Sequence, residues 1–178
     1  MKIRKVKNKE FIYIENFVYE IFKNTDYTDG KLERELVREI RQSQYYIPEL
    51  DLVAEEDGEI FGHFIMSQFP ISNLYQNQML LLAPVSVSIE KQRHGIGKWM
   101  LNEGIEQAKQ MGYKGMIVEG NPAFYNKLGF IASTKFGIYS SEKNLPPSEE
   151  CLMAMELNED GLKNISGEVD YSIYNSLT

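Results

Sequence analysis

The run Glu90-Lys91-Gln92-Arg93-His94-Gly95-Ile96-Gly97-Lys98 constrains this chain more than any other stretch. It joins a Leu- and Val-rich segment, Met79 to Ile89, to one with apolar residues at Ile96, Trp99, Met100, Ile105, Ala108 and Met111. The first reads as a strand, and the second has helical spacing. The glycines therefore fall at a strand-to-helix turn, where the first amides of the helix have no internal acceptor. Lys91, Arg93 and Lys98 sit where positive charge opposes the helix dipole, in a chain of net charge −7. A bound phosphate or pyrophosphate resolves that conflict; a solvated surface turn is the plainer alternative.

The 178 residues suit one domain, 1–178, with 43% hydrophobic and 25% charged residues. The acidic balance argues against nucleic acid as a partner and is compatible with a cationic substrate such as an amine. With Cys151 the lone cysteine, no internal disulfide forms, and a reducing cytoplasm is the expected setting. Cys151 opens an apolar run, which predicts a buried structural thiol. His63 and His94 stand in different elements, so no metal is expected. Met1-Lys-Ile-Arg-Lys-Val lacks an apolar signal core, and no apolar stretch approaches the roughly 20 residues that span a membrane.

Along the chain, Lys2 to Val6 alternates as a first strand. Helical patterns cover Lys9 to Phe22, with Ile12, Phe17, Val18, Ile21 and Phe22, and Lys31 to Ser43, with Leu32, Leu36, Val37 and Ile40. Between them, 24–30 reads as a loop. Leu50 to Glu56 and Glu59 to Phe69 flank Asp57-Gly58, a strong hairpin turn. Pro84 inside the fourth strand, 79–89, predicts an edge or a bulge. A long helix, 95–111, ends at Gly112. A strand at 115–119, a short helix at 122–128 starting with Pro, a strand opening at Gly129, and a last strand at 151–157 complete the order. This order predicts an α/β sandwich of mixed sheet. The polar, aromatic tail, 158–178, is expected to fold back on it.

Gln92-x-x-Gly95-x-Gly97 resembles the Q/R-x-x-G-x-G/A turn of the GNAT superfamily of N-acetyltransferases. It is neither an ATP-type P-loop nor a dinucleotide G-x-G-x-x-G. Gly120-Asn-Pro-Ala-Phe-Tyr-Asn-Lys-Leu-Gly-Phe130 resembles the family's second motif, and the two occur in the family's order. The resemblance implies a GNAT-like α/β (α+β) fold, with a mixed, mostly antiparallel sheet flanked by helices. It also implies direct acetyl transfer from acetyl-CoA to an amine in a ternary complex. Gln92, Arg93, His94, Gly95, Ile96, Gly97 and Lys98 would hold the pyrophosphate. Val85, Ser86 and Val87 would hold the amide arm, and Asn121 would face the cofactor. Asn121 and Tyr125 stand only four apart, closer than in many members, which leaves Asn121 less firmly assigned than the turn.

The chemistry needs a base to free the amine lone pair, donors for the oxyanion and a proton for the departing thiolate. The resemblance assigns that proton to Tyr125, whose plainer alternative is packing beside Phe124 and Phe130. Glu119, at a strand end beside the expected cleft, is the first choice of base, and His63 is the second. Ser86 and Ser88 stand where some relatives carry histidines. Tyr27, Tyr45, Tyr46 and Phe69 are candidates to line the amine pocket. The expected partner is a small-molecule amine, with a homodimer left open. The rival readings are a non-catalytic acyl-CoA-binding or regulatory module and a protein or peptide N-acetyltransferase.

Overall fold

The structure is a computed structural model that describes every residue except Asn24, Tyr27 and Thr178. A seven-stranded sheet runs in the order β1-β2-β3-β4-β5-β8-β6, with a separate pair of β7 and β9. The strands are β1 (Lys2–Lys5), β2 (Asp51–Glu56), β3 (Glu59–Gln68), β4 (Met79–Val87), β5 (Gly115–Glu119), β6 (Ile131–Ala132), β7 (Ile138–Ser140), β8 (Leu152–Glu156) and β9 (Gly167–Val169). Helices α1 (Phe11–Phe22) and α2 (Lys31–Gln42) pack on one face. Helix α3 (Ile96–Gln110) packs on the other, and α4 (Pro122–Tyr125) follows β5. Among the described residues of the main sheet, only β4 and β5 pair in parallel.

Local chemistry explains most of these elements. Asp57 and Gly58 both take positive φ, 50° and 86°, in the two-residue turn that joins β2 to β3. Alternation along β3 sends Phe64 and Met66 to the α3 face and Ile65 to the α1/α2 face, where Phe69 joins it just beyond the strand. Helix α3 buries Met100, Leu101, Ile105 and Ala108. Its Gly104 lies directly on the Phe64 ring, so a side chain there would displace that ring. Helix α2 buries Leu36, Val37 and Ile40 and gives its charged side to water.

Several expectations need correction. β4 ends at Val87 rather than Ile89, and Gly95 caps α3 rather than belonging to it. Of the two readings of Pro84, an edge or a bulge, the bulge is the one found, and β4 is central. Ile12 and Leu32 point to solvent, 74% and 52% exposed, because each lies off its helix's buried stripe. The parallel pair β7–β9 was not foreseen. Through it the tail folds back: Tyr174 is buried with its hydroxyl 3.3 Å from Ser67 Oγ. Ser176 also donates from its amide and hydroxyl to Glu39, at 3.1 and 2.6 Å.

Candidate active site

The site begins with a break in the sheet. β3 and β4 pair in one register from Gly62–Val87 to Phe64–Val85, and shift by one residue before Met66–Leu82. The extra residue lies at Ala83-Pro84, because proline has no amide to give the ladder. On the other side, β4 pairs with β5 only from Met79 to Leu81. Beyond that point the two strands separate and open a cleft of about 1050 Å³.

The Ser88 amide donates to the Phe61 carbonyl at 2.8 Å. Bonded and non-bonded pairs alternate along an antiparallel ladder, so His63–Ser86 is the next bonded pair. Val85 and Val87 thus turn their N–H and C=O groups away from β3 and into the cleft. Ser86 directs its own toward β3. Of the three predicted amide-arm residues, the geometry turns the backbone of two, Val85 and Val87, toward the cleft, the Val87 carbonyl being taken by the Gln92 side chain.

The turn after β4 closes one end of this cleft. Gln92 Nε2 donates to Val87 O at 2.9 Å, and His94 Nδ1 donates to Gln92 O at 2.7 Å. Arg93 and Gly95 take positive φ, 63° and 78°. No acceptor among the described residues receives the Ile96, Gly97 or Lys98 amides. Arg93 and Lys98 are exposed and in no ion pair among the described residues. Lys91 is drawn aside, 3.6 Å from Glu56 and over the Phe61 ring. Gln92, Arg93 and Gly97 line the cleft directly. These residues offer an anion three outward amides and two uncommitted cations, which suits a pyrophosphate.

The other end of β5 supplies the polar groups. Asn121 Oδ1 accepts from the Ala123 amide at 2.9 Å and caps α4, so its oxygen is committed to the turn. Tyr125 packs edge-on to Phe124 and Phe130, with centroids 5.0 and 5.7 Å apart, and lines the cleft. Glu119 also lines it. Partial burial raises its pKa, and the nearby Tyr171 hydroxyl opposes part of that rise. Tyr171 is itself buried, and its hydroxyl faces the carboxylate without reaching hydrogen-bond geometry.

His63 lies elsewhere. It is fully buried on the α1/α2 face, with Nε2 2.8 Å from Asp51 Oδ1. Asp51 also takes Arg41 Nε at 2.9 Å and the Tyr46 hydroxyl at 3.1 Å. Burial pushes the His63 pKa down, against the pull of Asp51. The ring is therefore neutral and structural, and it does not line the cleft. Tyr46 belongs to this network and Phe69 to the core, so neither lines the cleft; nor does Tyr45. Tyr27 lies outside the described residues. Cys151 is half-exposed on the cleft wall rather than buried, because its strand begins one residue later.

The family resemblance points to the two early helices and the late strands for the cleft's second half, but the residues that line it are not the ones named from the sequence. Ile21, Phe22 and Leu36 from α1 and α2, Leu145, and Tyr171 and Leu177 of the tail wall it on the α1/α2 face. Leu36 and Tyr171 share one core cluster with β4 residue Leu81, while Tyr125 packs on the opposite cluster. The cleft therefore passes through the sheet from one face to the other.

An open strand edge beside a cationic turn with outward amides, with Glu119 and Tyr125 lining the same cleft, suits a group-transfer enzyme with an extended, phosphate-bearing donor. A family model described as the acetyltransferase (GNAT) domain matches residues 43–132, and the chain belongs to this family. It is 25% identical over 144 residues to the uncharacterized N-acetyltransferase YhbS of Escherichia coli K12, covering 80% of this chain and 83% of that one. The crystal structure of E. coli YhbS in complex with CoA superposes with a TM-score of 0.83 at 23% identity, over 96% and 88% of the two chains. A GNAT family acetyltransferase from Brucella melitensis in complex with acetyl-CoA gives a TM-score of 0.78 at 26% identity, over 99% and 97%. Among the described residues no helix is long and apolar enough to cross a membrane, and no group of three or more His, Cys, Asp or Glu forms a metal site.

Proposed function

We propose that this acetyltransferase moves an acetyl group from acetyl-CoA to the primary amine of a small molecule, by direct transfer with both substrates bound. The observation that carries this reading is the separation of β4 from β5 beyond Leu81, which leaves the Val85 and Val87 amides facing an open cleft. An extended amide chain pairs with such an edge as an added strand. Gln92 to Lys98 lie at one end for its phosphates, and Glu119 and Tyr125 lie near the reacting centre.

Acetyl-CoA supplies the activated acyl group. Glu119, ionised, takes one proton from the acceptor ammonium and frees its lone pair. A β4 amide donates to the acyl oxygen as negative charge develops there. The N–C bond forms and the C–S bond breaks, with its electron pair leaving on sulfur. Of the three ammonium protons, one stays on the amide. One leaves through Glu119 to water. The last replaces, on Tyr125, the proton its hydroxyl gives to the thiolate.

A thermal-shift titration tests the donor. At 100 times the dissociation constant, acetyl-CoA stabilises by roughly 2.7 kcal/mol, a rise on the order of 5 to 10 °C for this size. CoA should act similarly, and ATP and NAD should not. No shift at millimolar acetyl-CoA would sink the proposal. Release of free thiol with an amine panel then separates an enzyme from a binding module.

A further inference from the structure

We infer that the acceptor is a primary amine borne on an apolar alkyl or aryl body that carries no carboxylate. The inference rests on the acetyl-transfer reading and names the substrate class of that same site. Three observations on the α1/α2 half of the cleft carry it.

First, its walls are apolar and come from distant segments. Ile21, Phe22 and Leu36 of α1 and α2 line it together with Leu145 and Leu177. Leu145 is 73% exposed on the rim. A leucine that open to water gains stability only when something apolar covers it, and a small-molecule pocket takes its affinity from such walls.

Second, the ionisable groups in this half are acidic or neutral. Glu33 and Glu119 line it, with Tyr171 and Cys151. Arg93, in the donor turn, is the one Lys, Arg or His that lines the cleft among the described residues. An acceptor carboxylate would meet two negative side chains and no cation. Desolvating it there is unfavourable, with no partner to offset the cost.

Third, most polar atoms here are committed inside the protein, the Tyr171 hydroxyl beside Glu119 being the exception. Glu33 Oε2 accepts from the Thr28 hydroxyl at 2.8 Å. Asn144 Nδ2 donates to Leu177 O at 3.1 Å, and Asn144 Oδ1 accepts from Ser141 Oγ at 3.3 Å. A hydroxyl-rich acceptor, such as an amino sugar, would lose its water without equivalent partners. Glu119 remains for the ammonium.

The test compares 2-phenylethylamine with phenylalanine, glucosamine, spermidine and an apolar tripeptide, following thiol release at saturating acetyl-CoA. The expected result is a kcat/KM for 2-phenylethylamine at least about tenfold above each other amine. Leu145→Ser should raise KM for 2-phenylethylamine and leave the acetyl-CoA thermal shift unchanged. Glu33→Lys should narrow the gap between 2-phenylethylamine and phenylalanine. Preference for phenylalanine, glucosamine, spermidine or the tripeptide overturns the inference and leaves acetyl transfer standing. Thermal stabilisation by acetyl-CoA with no turnover of 2-phenylethylamine also overturns it. Absence of any acetyl-CoA shift overturns the inference and the acetyl-transfer reading together.

Discussion

Gly120 lies against the ring of Tyr125, so close that a Cβ on the glycine would stand 2.6 Å from Tyr125 Cε2 and 3.2 Å from Cδ2. The glycine is what lets α4 fold back and hold the tyrosine at the cleft. Gly120→Ala should push the ring outward. Displacements of this size in reacting groups cost on the order of 10 to 100-fold in rate. The expected outcome is a fall in kcat with the acetyl-CoA thermal shift nearly intact. Full kcat in this variant would separate Tyr125 from the chemistry.

Tyr125→Phe removes the hydroxyl and keeps both edge-on contacts with Phe124 and Phe130. If Tyr125 protonates the thiolate, kcat should drop by about 10² or more, and the alkaline limb of the pH–rate profile should change shape. A variant that keeps full turnover and the parental profile would return Tyr125 to a packing role.

Glu119 works as a base only when ionised. Its burial in the cleft raises its pKa above the ordinary glutamate value of 4.5. The rate should therefore fall as pH drops through that raised value, at higher pH than an exposed glutamate would give. Tyr171 favours the ionised form, so Tyr171→Phe should move the acidic limb further up. Movement down, or no movement, would show that another group sets this limb. Glu119→Gln should remove the limb along with most of kcat.

The Arg41–Asp51–His63 network predicts a pH-dependent stability unrelated to turnover. Burial alone would raise Asp51, but the bonds from His63 and Arg41 outweigh it and hold the carboxyl at about 2. Its contribution is complete above 3.8 and is lost as pH falls toward 2. His63 is depressed below 6.5. Its neutral state adds nothing to pH dependence above that value, and stability declines as pH falls below it, because the unfolded chain binds the proton more readily. Asp51→Asn leaves Arg41, 3% exposed, with Glu15 at 3.6 Å as its one remaining carboxylate among the described residues, beside the Phe11 carbonyl at 3.2 Å. A loss of about 3 kcal/mol is expected, or roughly 6 to 12 °C in Tm, measured by urea and thermal melts. A change under 1 °C would show that the network relaxes around the asparagine.

Much of this was legible because local chemistry decided it. Asp57-Gly58 had to turn, Pro84 had to interrupt the ladder, and the glycines at 95 and 97 had to mark a strand-to-helix turn. The errors have a common physical origin. Three-residue strands such as β7 and β9 show no period, and their partner lies 29 residues away in the sequence. Ile12 and Leu32 are apolar by type but fall off the buried stripe, which only packing reveals. His63 looked like a base because its residue type permits that. Burial beside Asp51 decided otherwise. The residues that line the α1/α2 half of the cleft could not be picked out one by one, because Ile21, Leu145 and Leu177 meet only after the sheet has brought their segments together.

The opening between β4 and β5 also bears on association between chains. An unpaired strand edge is ordinarily an invitation to another copy's strand, and proteins blunt such edges with charge, bends or cover. Here the bare edge, at Val85 and Val87, lies in the middle of a sheet and inside a cleft. Neighbouring strands and the helices on both faces flank it, so a bulky folded chain is kept away while one slender extended molecule can enter. The same break that turns these backbone groups into the cleft also keeps them from a second chain's strand, and the two outer edges, β1 and β6, remain the ones a second chain meets first.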